Sequence, residues 1–273
     1  MKVLIPTDFS VQAEYAYSMV NKLAEKIQMN STFLHVMSVP DTVTISISGT
    51  IETCGEIDVD YITMQRDIAI RKLQETKASI GAVSTDLIFG KVTTGIVEYA
   101  AENDYDLIVM GTKGATGIKE IFSGSKSQMI ARKSSVPLLT LMCDRSDLLL
   151  ENALLVHDFE EKSNEDLFVL KLFMESFGTK IHFLQICKND NVEKHNEIKK
   201  NMVSYAEKHG IKNFETHVLK DVDVEEGVIH FNQMMNMDLV CIGTHGKAGL
   251  FHSSAAENLV NHLYKPLITF KIN

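Results

Sequence analysis

The chain repeats itself at domain length, and this constrains its fold more than any other feature. Val3-Leu-Ile-Pro-Thr-Asp8-Phe9 parallels Ala153-Leu-Leu-Val-His-Asp158-Phe159. Phe33-Leu-His-Val36-Met37 parallels Phe183-Leu-Gln-Ile186-Cys187. Asp106 to Gly114 parallels Asp238 to Gly246, and Pro137-Leu-Leu-Thr-Leu141 parallels Pro266-Leu-Ile-Thr-Phe270. Four matched blocks in one order point to a duplicated domain and not a solenoid of short units. A length of 273 residues suits two ordinary domains. The boundary falls in the polar connector Cys143-Asp-Arg-Ser-Asp-Leu148, giving 1–145 and 146–273.

Each half alternates short apolar runs with helical patterns. In the first, strands are expected near 2–7, 32–38, 84–90, 106–110 and 136–142. A helix with apolar positions Ala13, Ala16, Val20, Leu23, Ala24 and Ile27 follows the first strand, and Asp8 or Ser10 is placed to cap it. Further helices are expected from about 58 to 79, 94 to 103 and 125 to 133. Continuously apolar strands covered by helices predict an α/β fold: two duplicated, doubly wound, parallel five-stranded sheets. Such sheets bind ligands at the carboxyl ends of their strands, where the strand order reverses. Asp8 and Gly111 both end strands, which places them in one cleft. Thr42 to Gly55 alternates β-branched and polar residues and reads as a hairpin or extended arm beside that cleft, with a mobile loop as the other open reading.

The first half also carries a glycine-rich junction. Gly111-Thr-Lys-Gly114 leads, through nine residues, to Gly124-Ser125-Lys126 and a helical pattern. Glycine lets backbone approach a ligand closely, and a helix start offers unpaired N–H groups to a phosphate. The spacing is neither the Walker loop nor the dinucleotide fingerprint. A net charge of -9 argues against a nucleic-acid partner but permits a nucleotide, whose phosphates need only a local field from Lys113, Lys119 and Lys126. No apolar stretch approaches membrane-spanning length. Cys54, Cys143, Cys187 and Cys241 lack CxxC spacing and suit a reducing compartment, so a cytoplasmic location is expected.

The Gly-x2-Gly-x9-Gly-Ser spacing, the first strand ending in Asp8, and Phe33-Leu-His35-Val36 together resemble the universal stress protein family. The resemblance recurs once per half and covers nearly the whole chain. It implies a Rossmann-like fold of the adenine nucleotide alpha hydrolase type, with strand order 3-2-1-4-5. It implies domains that associate through their last strands, here an intrachain pseudo-dimer, with a homodimer as a further option. It implies a stress-response regulator that binds ATP, or ADP or AMP, with Mg2+ as a possible companion. Carried onto this chain, Asp8 lies at the ribose and Val36 at the adenine, with Pro6 and Thr7 shaping the turn. Met110, Gly111 and Gly114 line the ribose and phosphates, and Gly124, Ser125 and Lys126 hold the outer phosphates.

The second half keeps Asp158, Gly243 and Gly246 but departs elsewhere. Pro137 stands 26 positions after Gly111, whereas Pro266 stands 23 after Gly243, and Ser253-Ser254 replaces Gly124-Ser125. One nucleotide site per chain is therefore expected. Nine of ten histidines lie from His157 onward. His157, Asp158, His245 and His252 fall near the mouth of the second site, where solvated loop residues and a metal site are both open readings. No base for water, no arginine finger and no Walker-type Mg2+ set is evident. A regulatory binding protein is expected, against a slow ATPase or a nucleotide-independent interaction protein with vestigial sites.

Overall fold

The computed structural model describes residues 1–45, 50–53, 58–80, 83–112, 126–159, 165–188, 191–244 and 252–272, with backbone only at 252–254. The first half comprises β1 (Lys2–Pro6), α1 (Val11–Ala24), β2 (Asn30–Met37), β3 (Val43–Ile45), β4 (Ile51–Thr53), α2 (Val59–Ile80), β5 (Ser84–Phe89), α3 (Val92–Glu102), β6 (Leu107–Gly111), α4 (Lys126–Lys133) and β7 (Leu138–Leu141). The second follows with β8 (Asn152–Val156), α5 (Phe168–Phe177), β9 (Lys180–Cys187), α6 (Val192–His209), β10 (Phe214–Lys220), α7 (Val224–Met235), β11 (Leu239–Thr244), α8 (His252–His262) and β12 (Leu267–Lys271).

The strands run β10-β9-β8-β11-β12-β7-β6-β1-β2-β5. Each half is a parallel set in the order 3-2-1-4-5, and the antiparallel pair β7–β12 joins the sets into one ten-stranded sheet. Leu138, Leu139 and Thr140 stand opposite Thr269, Ile268 and Leu267. This pairing covers the edge that each set would otherwise expose.

Side chains alternate across the sheet, so the apolar runs feed two cores. Val3, Ile5, Val109, Leu155 and Cys241 face one core, closed by α1, α2, α5 and α6. Leu4, Ile108, Leu154, Val240 and Ile242 face the other, closed by α3, α4, α7 and α8. Burial in its strand pushes the Cys241 thiol well above its ordinary pKa, so it is an inert core residue.

The duplication extends to local detail. An Asp Oδ2 caps the first strand in each half: Asp106 accepts from the Lys2 N–H at 2.6 Å, and Asp238 from the Asn152 N–H at 3.0 Å. Phe9 (φ 62°) and Phe159 (φ 53°) take the left-handed conformation at the same turn. That conformation costs a residue with a Cβ about 1–2 kcal/mol. In each half the aromatic ring offsets the cost by packing inward, Phe9 on His35 at 4.6 Å between centroids and Phe159 on Phe183 at 5.1 Å. The segment after β2 forms the antiparallel hairpin β3–β4, with Val43 opposite Thr53.

Candidate functional site

β1 and β6 are neighbours in the sheet, but their following helices cover opposite faces. Their carboxyl ends therefore diverge and leave a crevice. A cleft of 560 Å³ occupies this point. Pro6, Thr7, Asp8, Val36, Met110, Gly111 and Lys126 all line it. Gly114, Gly124 and Ser125 lie outside the described residues.

The floor is the β1–α1 turn. The Thr7 N–H donates to the Leu34 carbonyl at 2.8 Å, which continues the ladder one step beyond β1. Thr7 Oγ1 accepts from the Phe9 N–H at 3.0 Å, and Asp8 Oδ1 accepts from the Ser10 N–H at 3.0 Å. Ser10 occupies the N-cap of α1 but makes no side-chain cap bond, so the local support comes from Asp8 instead. The carboxylate stays exposed at the mouth.

Gly111 is there for a steric reason. A Cβ at this position would lie 2.0 Å from the Gln12 carbonyl oxygen. Only glycine lets the end of β6 pass this close to the first turn of α1. Val36 is nearly fully buried, while Met110 and Gly111 are half-buried and open toward the cleft. Together with Ile96 they give a flat apolar base a slot. Lys126, at the start of α4, also lines the cleft, and a cation at a helix start suits a phosphate. The residues present thus suit each part of a nucleotide: apolar slot, carboxylate for hydroxyls, cation and helix start for phosphates.

Sequence reasoning missed part of the lining. Gln12, Tyr61, Gln65, Val92 and Ile96 come from the starts of α1, α2 and α3. One signal was present: Val92-Thr-Thr-Gly95-Ile96 recurs as Val224-Glu-Glu-Gly227-Val228. In each half the glycine lets a helix ride against the end of the second strand. A Cβ on Gly95 would meet Val36 at 3.2 Å, and one on Gly227 would meet Ile186 at 2.6 Å. His35 also lines the cleft, and its Nδ1 donates to the Thr7 carbonyl at 2.8 Å. A carbonyl only accepts, so that nitrogen carries the proton.

The corresponding place in the second half is built differently. β11 is buried to its last residue, whereas β6 opens at Met110 and Gly111. Ile272 lies where a Cβ on Gly243 would be, with its Cδ1 2.1 Å from that point. His157, which replaces Thr7, is 1% exposed. Its Nδ1 accepts from the Phe159 N–H at 2.8 Å, and its Nε2 lies 3.7 Å from Glu165 Oε1. Glu165 also accepts from the Tyr205 hydroxyl. Burial and the Glu165 charge raise the Tyr205 pKa far above its ordinary value. Asp158 is half-buried beside His157. His245 and the side chain of His252 lie outside the described residues.

An α/β sheet with a ligand-sized cleft at its switch point defines a doubly wound, Rossmann-like fold, and the chain is similar to known proteins of that fold. The model of the universal stress protein family matches residues 1–141. The chain belongs to the universal stress protein family. It is 29% identical over 142 residues to universal stress protein MJ0531 of Methanocaldococcus jannaschii, covering 51% of this chain and 81% of that one. It is 28% identical over 143 residues to universal stress protein YxiE of Bacillus subtilis, covering 50% of this chain and 96% of that one. A universal stress protein structure from Archaeoglobus fulgidus superposes with a TM-score of 0.73 at 17% identity, over 99% of this chain and 96% of that one. That likeness concerns the fold. Among the described residues, no helix is long and apolar enough to cross a membrane.

Proposed function

We propose that the chain is an adenine-nucleotide-binding regulatory protein of the stress response, with one ATP site in its first half. The two halves act as domains 1–145 and 146–273. The observation that carries this reading is the cleft itself, in which seven residues chosen from the sequence line one cavity at the switch point. Its volume lies within the roughly 300–1,000 Å³ of small-molecule sites. Asp8 takes the ribose hydroxyls, Val36 and Met110 the adenine, and Lys126 with the start of α4 the phosphates, with Gly114, Gly124 and Ser125 completing the loop. Mg2+ accompanies the triphosphate.

Occupancy is expected to reach the domain junction. Beyond Lys126, α4 lies against α8: Ser127 Oγ donates to Asn261 Oδ1 at 3.4 Å, and Arg132 Nη1 is 4.0 Å from Glu257 Oε2. A ligand that orders the start of α4 therefore acts on a helix that touches the other half. This supports a regulatory role over a catalytic one.

Isothermal titration of MgATP tests the proposal. One site per chain is expected, weakened about 10- to 100-fold in Asp8→Ala, the scale of a hydrogen bond to a charged group. Absence of binding by the wild-type chain overturns it, as does an Asp8→Ala affinity equal to the wild type.

A further inference from the structure

We propose that the second half carries a divalent transition-metal site, with zinc as the preferred ion, formed by His182 of β9 and Glu215 and His217 of β10. In the parallel register His182 stands opposite Glu215, and Glu215 and His217 are two apart on one strand. All three side chains therefore leave the same face of the sheet. One ligand atom from each lies within 4.8 Å of the others.

The distances fit a tetrahedral cation. His182 Nδ1 is 3.1 Å from His217 Nε2 and 3.6 Å from Glu215 Oε2, and His217 Nε2 is 3.7 Å from Glu215 Oε2. Zinc bonds of about 2.0–2.1 Å to nitrogen and oxygen give ligand–ligand edges of about 3.3 Å in a tetrahedron. Shifts of a few tenths of an ångström close the site.

A second, independent feature points the same way. His182 is 3% exposed, and its Nε2 lies 3.1 Å from Asn152 Oδ1. An amide oxygen only accepts, so Nε2 carries the proton and Nδ1 turns a bare lone pair toward Glu215 and His217. A metal-binding histidine is ordinarily held in this way, by a hydrogen bond from its other nitrogen. Without a metal, His217 Nε2 donates to that lone pair. On binding, the His217 proton passes from Nε2 to Nδ1 through solvent, so the neutral pair takes up the ion with no net proton release.

His217 and Glu215 are partly open to solvent, which leaves the fourth position for water or an exogenous ligand. Lys180 Nζ, 2.5 Å from Glu215 Oε1, occupies the other carboxylate oxygen and lowers the affinity without blocking Oε2. The first half places Thr32, Ser84 and Asp86 at the matching register positions. The site is thus a property of the histidine-rich half. It bridges the two outermost strands at the β10 edge and is distant in sequence and register from the residues assigned to nucleotide.

The test is a calorimetric titration of Zn2+ into the tag-free chain without nucleotide, repeated with Co2+ for its visible spectrum. One ion per chain is expected, with a tetrahedral Co2+ band and a Tm raised by about 5 °C or more at a hundredfold excess over Kd. His217→Gln and Glu215→Gln, both at partly exposed positions, each weaken binding tenfold or more, and the double variant loses it. Asn152→Ala, a positioning residue, also loses tenfold or more. Two outcomes overturn the site: no saturable binding of one ion by the wild type, or unchanged binding in the double variant, with the ion on other histidines.

Discussion

The first half ends β6 on an open, half-buried glycine, whereas the second buries the same position under its own carboxyl-terminal residues. Gly111 and Gly243 are matched in sequence and in strand, but their neighbours differ. Gly111 is pressed against rigid backbone at Gln12, and the space beyond it is the cleft. Gly243 is covered by the movable side chain of Ile272. The same glycine thus borders an open cleft in one half and chain packing in the other. The difference reaches the turn after the first strand. Thr7 presents a small polar side chain to the cleft, and His157 fills its equivalent with a buried imidazole against Glu165 and Tyr205.

The largest expected contrast is between the two glycines. Gly111→Ala drives a Cβ into a backbone carbonyl and is expected to cost about 3 kcal/mol or more, at the upper end of overpacking effects. Gly243→Ala displaces one terminal side chain and is expected to cost about 1 kcal/mol. Urea unfolding of both variants measures this, and equal losses would mean that the two glycines are constrained alike.

Tyr205→Phe comes next. Tyr205 and Lys72 each stand over the left-handed phenylalanine of their half, Tyr205 at 5.2 Å between ring centroids and Lys72 with its Nζ 5.1 Å from the Phe9 centroid. Removing the Tyr205 hydroxyl deprives the buried Glu165 of a donor and is expected to cost about 2 kcal/mol. Lys72→Ala removes an exposed cation–π contact worth about 0.5 kcal/mol. Thermal midpoints of the two variants rank them.

Asp158→Ala should leave MgATP affinity and stoichiometry unchanged, in contrast with Asp8→Ala. A second binding event in the wild type that disappears in Asp158→Ala would restore the second half as a nucleotide site.

The smallest contrast is in acid sensitivity. Burial lowers the pKa of His182, His209 and His217 below the ordinary 6.5. Below pH 6.5 the unfolded chain then binds protons that the folded chain refuses. Stability is complete above pH 6.5 and declines as the pH falls from 6.5 toward the lowered folded values. His230, paired with Asp221 at 2.7 Å and raised, acts in a different window: its contribution at this exposed site is complete below pH 6.5 and is lost as the pH rises through its folded value. A His182→Gln/His217→Gln variant should show a smaller drop in Tm between pH 7 and pH 5.5 than the wild type. An equal drop would place the acid sensitivity elsewhere.

Much of this was legible in the sequence because it rests on local rules. Repeated apolar runs separated by helical patterns require a parallel, doubly wound sheet, and the matched blocks fixed which strands correspond. Asp8 and Gly111 were placed in one cleft because both end strands. The lining from Gln12, Tyr61 and Val92 was less visible, since helix starts carry no pattern that says which crevice they border. The histidines show the limit most clearly. The excess in the second half is plain, and the repeat alignment points to His157, Asp158, His245 and His252. The close group is His182, Glu215 and His217, whose numbers differ by up to 35 and whose contact depends on strand register.

The sequence by itself determined the duplication, the fold class, the strand order through its family resemblance, and seven residues that share a cleft. The duplication and the fold class follow from repeated blocks and periodicity, and the cleft position of Asp8 and Gly111 from their places at strand ends, all of which act within a few residues; the strand order and the other five lining residues follow from the resemblance alone. Only the tertiary structure decided that Gly111 and Gly243 have different neighbours, that His157 is buried on Glu165, and that two histidines and a glutamate converge at the β10 edge. Those outcomes depend on how distant segments stack and pair, and neighbours brought together by register leave no mark in either segment alone.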